Sequence, residues 1–374
     1  MDDSWLQLTI IALGFAGGAA FGLAARAAHF CTLGAIEEAY YGVQRTRLRT
    51  WLLAIGAAVA LTQALDMAGV IELERSFRLS SMVPLGGAVI GGLMFGFGMA
   101  LVGTCAFGML ARLGGGDMRA LLSVLVLGIV GFMTFSGIFA HARLATVGRL
   151  TLDVSGPQAI HALLFGPSRA GQALIAALVV TATAGWALSS PRFRRDLRQV
   201  AAGIVMGAAV AFGWLVTSTL GQETLYPQQP DSYSFVRPIG QTILWLMTAS
   251  GSSANFLIGG VFGVVAGAFI AALIQGEVAW DAFDDAREMR RHLSGAALMG
   301  VGGTLAMGCT IGQGMSGLAT LSLTSMVAIL SIVAGALAGI RLLIEGEWPR
   351  FLTRLTRLTR EALPWHHHNH DRNA

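Results

Sequence analysis

Three short motifs contain every cysteine of the chain, and they are the residues best suited to chemistry. The motifs have the form Cys-x-x-Gly and read CTLG at 31–34, CAFG at 105–108 and CTIG at 309–312. A thiol is a weak hydrogen-bond donor and acceptor, it is polarisable, and it costs little to bury. Three thiols without a Cys-x-x-Cys pair do not predict a disulfide framework, a zinc site or a cluster. The predicted chemistry is weak, reversible contact with a soft ligand.

Two of the motifs belong to a long internal repeat. The sequence from Gly91 matches the sequence from Gly295 without a gap, at a constant separation of 204 positions. The identical pairs are Gly91/Gly295, Gly96/Gly300, Gly98/Gly302, Leu101/Leu305, Cys105/Cys309, Gly108/Gly312 and Gly131/Gly335. A repeat of this kind indicates a duplicated architecture. The plainer interpretation is that membrane cysteines act as small hydrophobes and membrane glycines pack helices. Both interpretations stay open at this point.

The composition is that of a polytopic membrane protein. The chain is 54% hydrophobic and 12% charged, whereas a soluble domain is about 25% charged. Apolar stretches of about 20 residues, the length that crosses a bilayer as a helix, recur along the sequence. We interpret residues 1–374 as a single membrane domain. The net charge of +4 gives no indication of nucleic-acid binding.

We predict an all-α fold of about nine transmembrane helices with short re-entrant helices. The predicted spans are 8–27, 51–70, 83–103, 120–140, 170–188, 200–220, 254–274, the stretch before Cys309, and 325–344. With nine spans, the arginine-rich loops at 45–49, 112–119, 191–198 and 287–291 fall on one side. The positive-inside rule makes that side the cytoplasm, which places the N-terminus outside and the C-terminus in the cytoplasm.

This topology gives the two copies of the repeat opposite directions in the membrane. The helix before Cys105 runs inwards and the helix before Cys309 runs outwards. The predicted parts are a first inverted repeat at 8–141, a linking span at 170–188, a second inverted repeat at 200–344 and an unstructured cytoplasmic tail at 345–374. Inverted repeats place a site near the bilayer midplane, between broken helices. The three motifs are the predicted breaks, where glycine permits a tight turn and close backbone approach.

A fourth site residue is expected in the second repeat, at the counterpart of Cys31. The segment FVRPIG at 235–240 aligns with FCTLG at 30–34 through their glycines. That alignment requires a one-residue shift at the phenylalanine and places Arg237 opposite Cys31. Arg237 is interpreted either as a contact for an anion or as an ordinary loop cation.

The chemistry of such a site favours a small anion with a soft end. Helix N-termini behind the motifs supply positive potential, and thiols contact sulfur better than they contact hard oxygen. A small sulfur-containing oxyanion satisfies both conditions. Cu(I) also suits thiols, but the sequence lacks Met-x-x-Met and Cys-x-x-Cys pairs. We predict no metal and no other cofactor. The predicted site residues are Cys31, Cys105, Cys309, Gly34, Gly108, Gly312 and Arg237.

Four segments resemble the YeeE/YedE family of membrane proteins. They are HFCTLGAIEEA at 29–39, GTCAFGMLARLGG and onwards at 103–132, SFVRPIGQT at 234–242, and GCTIGQGMSGLAT and onwards at 308–339. The resemblance covers about 9–344 and implies nine long helices, four loops that reach the centre from both faces, and an hourglass shape. It also implies import of thiosulfate across the bacterial inner membrane. The family's cysteines match Cys31, Cys105 and Cys309, and they relay the ion through S–H to sulfur hydrogen bonds.

The resemblance leaves the partner and the substrate partly open. A small cytosolic sulfur carrier of the TusA type is an expected partner, and selenium or other sulfur species are alternative substrates. An intramembrane sulfurtransferase with a persulfide on Cys105 is the rival function. Its thiolate would need a base, and no histidine or lysine is close in sequence to Cys105 or Cys309. We therefore predict a transporter and no enzyme.

Overall fold

The fold is described by a computed structural model that covers residues 3–42, 45–154, 156–166, 168–224, 229–283 and 285–344. The helices are α1 (Asp3–Ala27), α2 (Thr32–Tyr41), α3 (Thr46–Met67), α4 (Gly92–Val102), α5 (Ala106–Gly114), α6 (Met118–Phe135), α7 (Ala140–Ala145), α8 (Ile160–Phe165), α9 (Arg169–Leu188), α10 (Pro191–Arg195), α11 (Leu197–Ser218), α12 (Val236–Thr248), α13 (Phe256–Gln275), α14 (Ala286–Leu305) and α15 (Leu323–Ile344). Two π-helical segments, Gly87–Gly91 and Gly312–Gly317, and two strands, β1 (Met82–Val83) and β2 (Leu152–Asp153), complete the fold. The predicted tail at 345–374 lies outside the described residues.

The long helices follow the apolar stretches of the sequence. Eight helical segments in the described part of the chain are long and apolar enough to cross a membrane. A ninth long helix, α14, has 20 residues and begins with the charged sequence AREMRRH, which lowers its hydropathy. The predicted all-α polytopic fold is therefore confirmed, and α14 accounts for the ninth predicted span.

The helices form two sets that repeat in order and in packing. The first set is α1 to α6, and the second is α11, α12, α13, α14, the segment Gly312–Gly317 and α15. Helix α1 packs on α13 as α11 packs on α3, and α4 packs on α15 as α14 packs on α6. Helix α9 lies between the sets in the chain and packs on α3. Each of these contacts between the sets therefore has a counterpart at the equivalent position of the repeat.

Glycines of the sequence repeat form the contact between α4 and α14. A methyl group built on Gly98 would lie 2.6 Å from the carbonyl oxygen of Gly295, and one built on Gly302 would lie 2.7 Å from that of Gly91. The sequence repeat pairs Gly91 with Gly295 and Gly98 with Gly302. The contact of Gly98 with Gly295 and the contact of Gly302 with Gly91 are therefore equivalent under the repeat. The order of the contacts makes α4 and α14 antiparallel. Small residues let helix backbones approach this closely in a membrane.

The connector between α6 and α9 fastens the end of the second repeat to the loop before α4. Strands β1 and β2 pair antiparallel, with Met82 opposite Asp153. The N–H of Ile160 donates to the carbonyl of Leu321, and the N–H of Leu323 donates to that of Gln158, both at 3.0 Å. The two-stranded sheet is a small exception to the predicted all-α fold. These bonds hold the residues that join the segment Gly312–Gly317 to α15.

Candidate transport site

The three Cys-x-x-Gly motifs break the membrane helices with one shared geometry. Two residues before each cysteine, the backbone enters the left-handed region, at His29 (φ 48°), Gly103 (φ 81°) and Met307 (φ 57°). Helices α1, α4 and α14 end at these points. The left-handed conformation is uncommon for residues other than glycine, yet two of the three breaks use it at histidine and methionine. The chain therefore turns at the same place in all three motifs.

Each cysteine then begins the next helix by capping it with its own sulfur. The Sγ atoms accept hydrogen bonds from the glycine N–H groups of their motifs, Gly34 to Cys31 at 3.4 Å, Gly108 to Cys105 at 3.5 Å and Gly312 to Cys309 at 3.3 Å. Serine or aspartate usually supplies this cap through oxygen. A thiol in that position faces the positive end of a helix. The motif thus combines a soft atom with positive potential.

The motif glycines lie inside the helical segments that follow the cysteines, and the chain turns two residues before each cysteine. Their backbones do not lie in the left-handed region, which His29, Gly103 and Met307 occupy instead. A methyl group on Gly108 would lie 2.0 Å from Thr104 Oγ1, and one on Gly312 would lie 2.5 Å from Ser234 Oγ. The close approach that was predicted for these glycines is therefore present.

The motifs lie next to one another in the interior of the protein. Cys105 is 1% exposed, Cys309 is fully buried and Cys31 is half-buried. Cys105 is close enough to both other thiols to interact with them electrostatically. Thr32 links the first two motifs, because its hydroxyl donates to Cys105 Sγ at 3.8 Å and accepts from Trp51 Nε1 at 3.2 Å. The structure thus brings the three predicted cysteines and their glycines together.

One buried hydroxyl at this centre lacks a normal hydrogen bond. Thr310 directly follows Cys309 and is fully buried. Its Oγ1 lies near the Cys105 thiol but makes no hydrogen bond of normal geometry. Buried polar atoms are nearly always paired, and an unpaired one calls for a reason. The Cys105 thiol is the nearest partner for this hydroxyl.

The fourth break, before α12, carries an aromatic residue where the sequence alignment places Arg237. The N-cap of α12 is Phe235, so aligning the helix starts puts Phe235 opposite Cys31 and Arg237 two residues into the helix. Phe235 packs on Phe107 with ring centroids 5.2 Å apart and on Phe21 at 6.3 Å. The glycine alignment therefore gave the wrong register. This fourth turn supplies an apolar wall beside the thiols.

Arg237 lies in a cavity of about 240 Å³, which we call the arginine cavity. Three arginines and one aspartate line it together with Ser234 and Gly308, the residue before Cys309. The charged residues are Arg78, Arg143, Arg237 and Asp231. The guanidinium of Arg237 lies 4.6 Å from the centroid of the Phe135 ring. The net charge of two positive units makes the cavity suitable for a doubly charged anion.

Arg78 is the residue of this site that the sequence did not reveal. It is 4% exposed, its Nε donates to Asp231 Oδ1 at 2.8 Å, and its Nη1 donates to the carbonyl of Gly312 at 2.8 Å. The sequence analysis assigned it no role, because its partners follow 153 and 234 residues later in the chain. No local pattern marks it, and only the fold identifies it.

Other polar residues of the chain have local partners or face the surface. Glu38 accepts from the N–H of Arg47 at 3.0 Å and forms an ion pair with its side chain at 3.6 Å. His29, two residues before Cys31, is exposed. Asn255 caps α13 through the N–H of Ile258. The histidines at 366–370 lie outside the described residues.

A duplicated polytopic membrane fold with buried thiols at its helix breaks defines a membrane transport protein. The chain belongs to the sulphur transport family, whose sequence pattern matches residues 26–338. It is 26% identical over 261 residues to the thiosulfate transporter TsuA of Spirochaeta thermophila, covering 67% of this chain and 75% of the relative. It is 23% identical over 350 residues to the thiosulfate transporter TsuA of Escherichia coli, covering 88% of this chain and 93% of the relative.

Proposed function

We propose that this chain imports thiosulfate across the bacterial inner membrane. The observation that carries the proposal is the position of the arginine cavity directly against the turn that contains Cys309. Gly308 lies in the cavity wall, and Cys309 is the next, fully buried residue. Both relatives are named for thiosulfate transport.

Thiosulfate has two chemically different ends, and the site has a partner for each. Its oxygens are hard acceptors that suit guanidinium groups, which bind oxyanions with charge-assisted hydrogen bonds. Its terminal sulfur is soft and suits the thiols of Cys31, Cys105 and Cys309. Thiols bind weakly, so the ion is captured by charge and then passed along without a deep energy minimum. S–H to sulfur hydrogen bonds would carry this relay.

We also propose that the two sets of helices are inverted repeats. The antiparallel contact of α4 with α14 supports this, because a two-fold axis in the membrane plane relates antiparallel helices. With the orientation predicted from the arginine-rich loops, the arginine cavity would face the outer side and the loop at 191–198 would lie in the cytoplasm. A cytosolic carrier of the TusA type stays a prediction.

The orientation is tested with reporter fusions after Ser190 and after Glu223. We expect a cytoplasmic signal at Ser190 and an external signal at Glu223, because a single span, α11, separates them. Alkaline phosphatase is active outside the inner membrane, whereas the fluorescent protein is fluorescent in the cytoplasm. Each fusion position should therefore be active with one reporter and inactive with the other. Fusions that report the same side would contradict the inverted repeats.

The substrate is tested by uptake of radiolabelled thiosulfate into membrane vesicles that contain the protein. We expect saturable uptake of thiosulfate and little uptake of sulfate, because sulfate has the same charge without a soft end. A strain without other routes for sulfur uptake should grow on thiosulfate when the chain is supplied. Equal uptake of sulfate, or absence of thiosulfate uptake, would contradict the proposal.

A further inference from the structure

Arg78 connects the arginine cavity to the turn that contains Cys309. Its Nη1 donates to the carbonyl of Gly312 at 2.8 Å. The N–H of the same Gly312 donates to Cys309 Sγ at 3.3 Å. The Arg78 side chain therefore bonds to the carbonyl of the same residue whose N–H bonds to the thiol. Movement of this guanidinium would release the turn around Cys309.

Arg78 is fixed by an ion pair but retains an unused donor. Its Nε and the carboxylate of Asp231 are 2.8 Å apart, and the two side chains are 2% and 14% exposed. Its Nη2 is buried without a hydrogen-bond partner. Buried guanidinium groups ordinarily have their donors satisfied, because an unpaired buried donor is costly. An anion oxygen is the partner that Nη2 lacks.

Arg78 also lines two cavities. It lines the arginine cavity and a second cavity of about 280 Å³ whose wall includes Gln158, Gln313 and Ser325. Within the described residues, the walls of these two cavities contain no cysteine, and Cys309 is fully buried. Arg78 therefore lines both cavities and bonds directly to the turn that contains Cys309.

We propose that the Arg78–Asp231 ion pair is a gate that the substrate anion opens. The anion binds Nη2 and competes with Asp231 for the guanidinium, which then leaves the carbonyl of Gly312. The freed turn exposes Cys309 to the soft end of the ion. The identity of the anion rests on the proposed function, whereas the closed ion pair rests on the structure alone.

The gate also explains selection for a doubly charged ion. Asp231 holds Arg78 with one negative charge at short range, so an anion with one charge gains little by replacing it. A dianion that also contacts Arg143 and Arg237 has the stronger total attraction. Chloride and other small monoanions would therefore enter the arginine cavity without opening the way to Cys309.

Binding measurements on the purified full chain give opposite signs for the two members of the pair. We expect Arg78→Gln to weaken thiosulfate binding by about tenfold or more, since a charge-assisted bond is lost. We expect Asp231→Asn to strengthen it several-fold, because the competing charge is removed while Oδ1 still accepts from the N–H of Ser232. Arg75→Gln is the matched control, because Arg75 is exposed and pairs with exposed Glu72 in the same loop.

Labelling of Cys309 tests the gate without any substrate. In a background with Cys31→Ala and Cys105→Ala, the remaining thiol is titrated with the small neutral reagent methyl methanethiosulfonate. We expect Asp231→Asn and Arg78→Gln to speed labelling by about tenfold or more, since each breaks a bond that holds the turn closed, and Arg75→Gln to leave the rate unchanged. If Arg78→Gln does not fold, Arg78→Lys serves instead, because lysine cannot hold both partners at once.

The outcomes separate the gate from the proposed function. Weaker binding in both Arg78→Gln and Asp231→Asn, with Cys309 labelled as slowly as in the parent, would show a structural brace and overturn the gate. Faster labelling in both variants supports the gate even where the parent protein binds no thiosulfate. That last result would count against the proposed substrate only.

Discussion

Replacing Cys105 by alanine or by serine is expected to abolish thiosulfate uptake while the protein still folds and inserts. Cys105 is 1% exposed and lies close to both other thiols. Alanine removes one heavy atom from a packed site, which costs roughly 1 kcal/mol of stability and leaves the fold intact. Serine keeps the shape and the capping role but replaces a soft atom by a hard, strongly hydrated one. Loss of uptake in both variants would therefore follow from the loss of sulfur chemistry.

The measurement is uptake of radiolabelled thiosulfate in vesicles, normalised to folded protein from size-exclusion chromatography. Cys309→Ser is expected to behave like Cys105→Ser, because the sequence repeat relates the two positions. Cys31→Ser is the contrasting variant and should retain part of the uptake, since Cys31 is only half-buried. Near-normal uptake by Cys105→Ala would show that the cysteines serve only as small packing residues.

Hydropathy and the repeat were enough to predict an all-α membrane fold, because both can be recognised in the sequence without knowing which residues meet in the folded protein. A stretch such as Phe256–Gln275 contains only apolar and small residues before its terminal glutamine, so it forms a membrane helix whatever surrounds it. The repeated glycines near 91 and 295 also predict close helix packing by themselves, because a glycine that contacts a neighbouring backbone does not require a particular partner side chain. Such signals survive without knowledge of the tertiary structure.

The charged part of the site could not be predicted in the same way. Arg78 acquires its role from Asp231 and Gly312, which reach it only after the chain has crossed the membrane several times. Arg237 was identified by type, but the alignment followed a shared glycine and missed the helix start at Phe235. Sequence patterns placed the thiols, whose capping bonds span three residues. The two members of a long-range ion pair, such as Arg78 and Asp231, have no fixed spacing in the sequence by which they could be recognised.

A single methyl group at Gly96 is expected to destabilise the whole fold. Gly96 is on α4, and a methyl built there would lie 2.0 Å from the carbonyl oxygen of Ile332 and 2.6 Å from the amide nitrogen of Ala336. Both neighbours are backbone atoms of α15, so neither can rotate away. Gly96→Ala must therefore push two membrane helices apart. Overpacking of this kind costs about 3 kcal/mol.

Thermal unfolding in detergent measures this effect, with two further variants for comparison. Gly300→Ala, at the repeat position of Gly96, should lower the melting temperature as well, because its methyl would lie 2.7 Å from the carbonyl oxygen of Leu127 on α6. Gly185→Ala on α9 is the matched control, since nothing lies within 4 Å of its methyl position. Alanine stabilises an open helix position relative to glycine by about 0.5–1 kcal/mol, so Gly185→Ala should melt at or above the parent temperature. A Gly96→Ala protein that melts with the parent would mean that α4 and α15 are not packed as described.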